Sequence, residues 1–211
     1  LGLRSQGYQI WPPNILKLLN VKYLILPFDT FIHPDFELVK SASQYYFGPD
    51  KRFDGKLIQS SLYKFNNYYP RMFFTKNLYN VHEDDIFNLI YKIDFDPKES
   101  SYLVDNDSIN ILFDESSKVD ILEWKPHKIK FSTDVSSEQF LIFSEIFYND
   151  SWFLTDGNEE YKIYNVNGIL RGALIPPGKK VFEMYFKSNE IILGQYISSL
   201  LFLIVIFTII I

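Results

Sequence analysis

The sequence predicts a mainly β (α+β) fold: an antiparallel β-sandwich, preceded by a small mixed α/β part and followed by one transmembrane helix. Three observations predict it. From Leu141 to Phe186, apolar and alternating runs of strand length are punctuated by Asp156-Gly157 and Pro177-Gly178, turn chemistry that joins strands. Upstream, Glu83 to Ile93 carries the clearest helical period. Downstream, Ile191 to Ile211 contains no charged residue. The expected division is a mixed α/β subdomain over residues 1–100, a sandwich over 101–188 and a membrane helix over 191–211.

In chain order, residues Leu1 to Trp11 show no period and read as a loop. Pro12-Pro13 opens a short helix crowded by Ile15, Leu16, Leu18 and Leu19, with Asn20 as its stop. Val21 to Leu26 reads as a buried strand. Phe36 to Val39 is the best strand between two prolines, Phe47-Gly48-Pro49-Asp50 a turn, and Leu57 to Phe65 and Arg71 to Thr75 two further strands. In the helix from Glu83 to Ile93, apolar Ile86, Leu89, Ile90 and Ile93 fall on one face. Glu83, Asp84 and Asp85 sit where the helix dipole favours negative charge, and Pro97 closes the segment. Tyr102 to Val104, Ile109 to Phe113, Val119 to Trp124 and Ile129 to Thr133 follow as strands. In the last of these Lys128, Lys130 and Ser132 alternate with Ile129, Phe131 and Thr133, so one face is wet.

Leu141 to Phe147 is apolar on both alternating faces except at Ser144 and Glu145, the pattern of a central strand covered on both sides. Asp156-Gly157 then joins Trp152–Thr155 to Tyr161–Tyr164 as a hairpin. Pro177-Gly178 supplies the middle of a type II turn before Val181 to Phe186, which lines up Phe182, Met184 and Phe186. The closing run from Ile191 to Ile211 is twenty-one residues, about 30 Å as a helix and so about the thickness of a bilayer's hydrocarbon. The run stops without a Lys/Arg flank, and no leader precedes Trp11, so the chain is expected to be a piece of a longer protein.

Composition excludes several functions. A formal charge of −5 with no Lys/Arg-dense patch argues against nucleic acid as partner. With no cysteine, disulfides, thiolate catalysis and thiolate zinc sites are ruled out. His33, His82 and His127 lack paired-ligand spacing, and no nucleophile elbow or phosphate loop occurs. No catalytic residue, metal site or cofactor is expected. Asn106-Asp107-Ser108 and Asn149-Asp150-Ser151 match the short glycosylation acceptor pattern.

Ser144-Glu145-Ile146-Phe147-Tyr148, Trp152, Asp156-Gly157, Asn165, Leu170-Arg171-Gly172 and Pro176-Pro177-Gly178-Lys179 occur in one order along the chain. With Leu18 to Ile25 and Pro70 to Phe74 upstream, this order resembles the C-terminal extracytoplasmic region of YfhO-like bacterial multi-pass membrane proteins. Ser151 stands where that family usually has Gly before the Trp. The resemblance implies many transmembrane helices upstream. It also implies a place among GT-C-type glycosyltransferases, which use polyprenyl-phosphate-linked sugars to modify envelope glycopolymers such as teichoic acids. The catalytic acid of such enzymes lies in an early extracytoplasmic loop, outside this segment.

The expectation is therefore a non-catalytic domain on the outer side of the cell membrane, covering the active site or guiding the acceptor. Its expected partners are the lipid bilayer, upstream transmembrane helices of the same chain, a polyprenyl-phosphate sugar and an envelope glycan. Tyr148, Trp152, Asp156, Asn165 and Arg171 are the candidate contacts: aromatic faces and planar polar groups hold sugars, and Arg suits phosphate. The other reading of the same residues is structural, with Trp152 in the core, Asp156 in its turn and Arg171 paired with an acid. It corresponds to a structural or protein-docking module that binds no glycan.

Overall fold

A computed structural model describes residues 3–5, 8–10, 12–26, 33–45, 55–104, 107, 109–148 and 151–210. The chain is mainly β, with several antiparallel sheets and one C-terminal apolar helix. The expected turn at Phe47–Asp50 lies outside the described residues, as do all but Asp107 and Ser151 of the two acceptor patterns.

The first residues hold a correction. Strands β1 (Leu3–Ser5) and β2 (Tyr8–Ile10) pair as an antiparallel hairpin where a loop was expected, its arms too short to show an alternation. Helix α1 (Pro13–Leu18) starts on Pro13, whose missing N–H is no loss there. It stops at Asn20, which takes a left-handed φ of 54°, as expected of a helix-ending Asn.

Strands β3 (Tyr23–Leu26), β4 (Phe36–Tyr45) and β5 (Leu57–Phe65) form a small sheet in the order β3-β5-β4. Its inner face packs Tyr63 and Phe65 on Leu16 of α1. β3 is an edge strand rather than a buried one: Leu24 and Leu26 face in, while Tyr23 is 49% and Ile25 73% exposed.

The next strands are β6 (Met72–Phe74) and β7 (Asn77–Asn80), followed by helix α2 (Glu83–Ile90) and β8 (Ser100–Leu103). β7 and β8 pair in parallel, with α2 in the connection between them. Ile86 and Ile90 are buried, but the helix ends three residues before the expected Ile93, which is 88% exposed. The reason is a side-chain cap: Asn14 Nδ2 donates to the carbonyl oxygens of both Ile90 and Lys92 at 2.7 Å. Those orphan acceptors are satisfied without another turn.

Ile109 to Phe113, expected to be a strand, is irregular. Its backbone is served instead by the buried Gln139, whose Nε2 donates to Leu112 O at 2.8 Å and whose Oε1 accepts from Asp114 N at 3.2 Å. One side chain takes the place of a strand partner.

The remaining strands are β9 (Lys118–Lys125), β10 (Lys128–Val135), β11 (Gln139–Ile146), β12 (Trp152–Thr155), β13 (Glu160–Tyr161), β14 (Ile163–Val166), β15 (Leu170–Ile175) and β16 (Gly178–Phe186). They form a five-stranded sheet, β13-β12-β16-β10-β9, and a six-stranded sheet, β6-β11-β15-β14-β8-β7. Because β6 and β7 belong to the larger sheet, the expected division between residues 100 and 101 runs through it.

The two sheets pack through Met72, Phe74, Leu141, Phe143, Ala173 and Ile175 on one side and Ile129, Phe131, Leu154, Phe182 and Met184 on the other. The far face of the larger sheet, with Phe73, Phe140, Ile142, Val166 and Leu103, is covered by Ile15 and Leu18 of α1 and Ile86 and Ile90 of α2. The result is three layers: helices, six strands, five strands. β11 therefore buries both faces, Leu141 and Phe143 toward the second sheet and Phe140 and Ile142 toward the helices, as its unbroken apolar run predicts. β10 buries Ile129, Phe131, Thr133 and Val135 and leaves Lys130 and Asp134 exposed, as its alternation predicts.

The hairpin at Asp156-Gly157 forms, with Leu154 opposite Tyr161 and Gly157 at a φ of 91°. The run Tyr161–Tyr164 is not one strand, however. The chain changes sheets at Lys162, so β13 lies in one sheet and β14 in the other. Pro177-Gly178 likewise carries the chain between sheets, Gly178 at a φ of 110°.

Helix α3 (Asn189–Ile210) leaves the sandwich directly after β16. It is long and apolar enough to cross a membrane, and the stretch Asn189–Ile206 is 0% buried.

Candidate functional site

Between β12 and β13 of one sheet and β14 of the other, the sandwich edge stays open. Among the described residues β14 pairs with β8 only at Val166 opposite Leu103, and none of them forms a strand partner for Ile163 to Asn165 on that side. Two adjoining concavities fill the gap. One, about 230 Å³, is lined by Phe147, Tyr148, Trp152, Phe153 and Tyr161, among others. The other, about 400 Å³, is lined by Glu83, Val104, Tyr164 and Asn165. Phe147, Lys162 and Ile163 border both, making one groove.

Four of the five expected contacts gather at this edge. Tyr148 is 64% exposed at the end of β11's strand direction, and Trp152 lies beside it in the groove wall. Asn165 lines the larger concavity, its buried Oδ1 without a hydrogen-bond partner among the described residues. Arg171 lies opposite Asn165 in the register of β14 and β15.

Arg171 stacks on the Trp152 ring at 3.8 Å from its centroid and donates from Nε to Ile146 O at 2.9 Å. No carboxylate among the described residues pairs with it, contrary to the structural reading of this residue. Burial pushes its guanidinium down to about 10, and the more distant Glu145 charge opposes that shift. Arg171 is thus a positively charged floor under Trp152 rather than an open anion hook.

Asp156 stands apart from the other four. Its Oδ2 accepts from Lys180 Nζ and Tyr161 OH, each at 2.8 Å, and its Oδ1 accepts from the backbone N–H groups of Asn158 and Glu159 at 3.0 Å. The carboxylate, 6% exposed, is consumed by its own turn. The Lys180 hydrogen bond, then the two backbone donors and Tyr161, hold its pKa below the ordinary carboxylate range.

That depression fixes a sign. The contribution is complete above the unfolded pKa of about 3.9 and is lost as pH falls below it. Melting temperature should therefore drop as pH is lowered from about 5 toward 2. Asp156→Asn should lower the melting temperature at pH 6 and flatten this acid slope, a comparison that thermal melts of the two proteins across that range provide.

The sequence did not point to Lys162, Tyr164 and Asp107. Lys162 Nζ meets Asp107 Oδ2 at 2.8 Å and lies over the Tyr164 ring, whose OH also reaches Asp107 at 3.2 Å. These residues give the groove its charged lip. Hydrogen bonds from Lys162 and then Tyr164 hold Asp107 below the ordinary carboxylate range. Among the described residues no group of His, Cys, Asp or Glu could hold a metal ion. The groove offers flat aromatic faces, an unpartnered amide oxygen and a lysine.

Comparison with models of protein families, with curated proteins and with solved structures finds no match to this chain.

Proposed function

We propose that this chain is the water-exposed C-terminal part of a multi-pass bacterial membrane protein, a non-catalytic domain on the extracytoplasmic side that holds a glycan. In this reading α3 is a membrane span. The groove between β12, β13 and β14 takes a stretch of envelope glycopolymer and presents it to a glycosyltransferase centre formed by upstream parts of the same protein, which draws on polyprenyl-phosphate-linked sugar. The observation that carries the reading is the groove itself. Tyr148 and Trp152 supply aromatic faces at one end, Asn165 supplies a polar group at the other, and Lys162 lies between them. That division suits a chain of rings bearing hydroxyl groups.

The test is direct binding of teichoic acid fragments to the chain in detergent micelles, followed by calorimetry. Tyr148→Ala should weaken binding about tenfold, roughly 1.4 kcal/mol, while the melting temperature stays constant because Tyr148 is 64% exposed. No binding by the unaltered chain to any envelope polymer removes the proposal.

The second reading, a docking module for other protein segments, is favoured by one feature. The small sheet leaves Tyr23 and Ile25 exposed on an edge strand, a surface suited to protein contact. Tyr23→Ser with Ile25→Ser separates the two: it should leave glycan binding intact under the first reading and disrupt assembly with the upstream helices under the second.

A further inference from the structure

We propose that the end of the sandwich from which α3 departs is a membrane-contact rim, seated in the zwitterionic phospholipid headgroups of the bilayer that α3 spans. The inference rests on the reading of α3 as a span and adds where the folded domain sits. Only Lys187 and Ser188 separate β16 from α3. Fully extended, two residues reach about 7 Å, and the headgroup layer on each side of a bilayer is itself about 5–8 Å thick. A connector this short cannot hold the domain clear of the lipid surface.

The structure also specifies which residues meet that surface. Phe186 N donates to His127 O at 2.9 Å, which puts the turn between β9 and β10 beside the end of β16. Lys187 N donates to Ser151 O at 2.8 Å, and Trp152 lies opposite Phe186, which brings the start of β12 to the same end. β11 returns there with Ile146 59% exposed, followed by Tyr148. The two sheets are tied together at this end by Arg71, whose guanidinium lies 4.4 Å from the centre of the Trp124 ring and bonds Glu145 at 3.0 Å.

The chemistry of the rim fits the headgroup layer. Ile146 provides apolar surface and Trp124 an aromatic ring, the kind of side chain that settles at a membrane interface. Two of the lysines at this end have acidic partners: Lys125 pairs with Glu123, and Lys128 with Glu183 at 2.7 Å. A rim carrying both signs matches headgroups that carry both a phosphate and an ammonium.

The absence of cysteine makes the test clean. Single cysteines are placed by Ile146→Cys at the rim and by Glu138→Cys at the opposite, exposed end, and each is labelled with an environment-sensitive fluorophore. The full chain is then reconstituted in phosphatidylcholine vesicles that carry a headgroup-located spin quencher. The label at residue 146 should be quenched severalfold more than the label at 138, and Lys187→Cys should behave like 146. Equal quenching at both ends while the protein floats with the vesicles overturns the rim and leaves the span in place. Protein that does not float overturns both.

Discussion

Gly172→Ala is expected to destabilise the domain by about 3 kcal/mol or more, the upper range for forcing atoms into a packed core. Gly172 lies in β15, opposite Ile142 of β11 and Tyr164 of β14. A Cβ there would stand 2.4 Å from Cε1 and 2.6 Å from Cζ of Phe140, with Val166 Cγ1 at 3.3 Å. Phe140 is fully buried and cannot swing aside, and β15 is held by strands on both flanks. Against a total stability of about 5–15 kcal/mol for a domain, this is a large fraction. Phe140→Leu removes the ring atoms that collide, so the double variant should be more stable than the sum of the single effects. Urea unfolding of the four proteins measures the coupling. Additive losses would mean that the contact does not limit this site.

Phe131→Ala should cost about 3–5 kcal/mol, the range for truncating a buried aromatic side chain. Phe131 is the centre of the interface between the sheets. Its ring stacks on Phe182 at 5.3 Å and meets Phe143 edge-on at 5.4 Å, and it is 0% exposed. Its loss leaves a cavity bounded by two sheets whose strands are fixed by their own ladders, so little collapse can offset it. Phe131→Leu should recover more than half of the loss. A melting-temperature drop for Phe131→Ala no larger than for an exposed substitution such as Lys130→Ala would contradict this account of the core.

The parts of the fold legible in the sequence are those whose pattern depends on one neighbour at a time. β10 alternates because one face is wet, β11 is apolar from Phe140 to Phe143 because both faces are covered there, and α3 has apolar residues on every side. The parts that were not legible depend on distant residues. Ile109 to Phe113 has the composition of a strand, but its partner is the side chain of Gln139. Ile93 continues the period of α2, but Asn14, far away in sequence, ends the helix first. Asn167-Gly168, with φ values of 52° and 79°, turns β14 back into β15, and this Asn-Gly pair is a hairpin signal readable in the sequence.

The candidate site divides the same way. Tyr148 and Trp152 stand out as aromatic residues beside a turn, and the structure places both in one wall. Asp156 had the right chemistry but is committed to Lys180 and Tyr161. Lys162 belongs to no motif, and Asp107 stood out only within a short acceptor pattern that says nothing of a lysine partner; the fold alone brings the two together.

The order of strands in the six-stranded sheet has a consequence for biosynthesis. β6 lies at the edge of that sheet beside β11, so Met72-Phe73-Phe74 waits for a partner strand encoded roughly 70 residues later. At a ribosomal rate of about 5–20 residues per second, that apolar tripeptide stays unpaired for on the order of 3–14 s. The nascent polypeptide thus passes through an interval in which a holding chaperone, not its own sheet, must shield it.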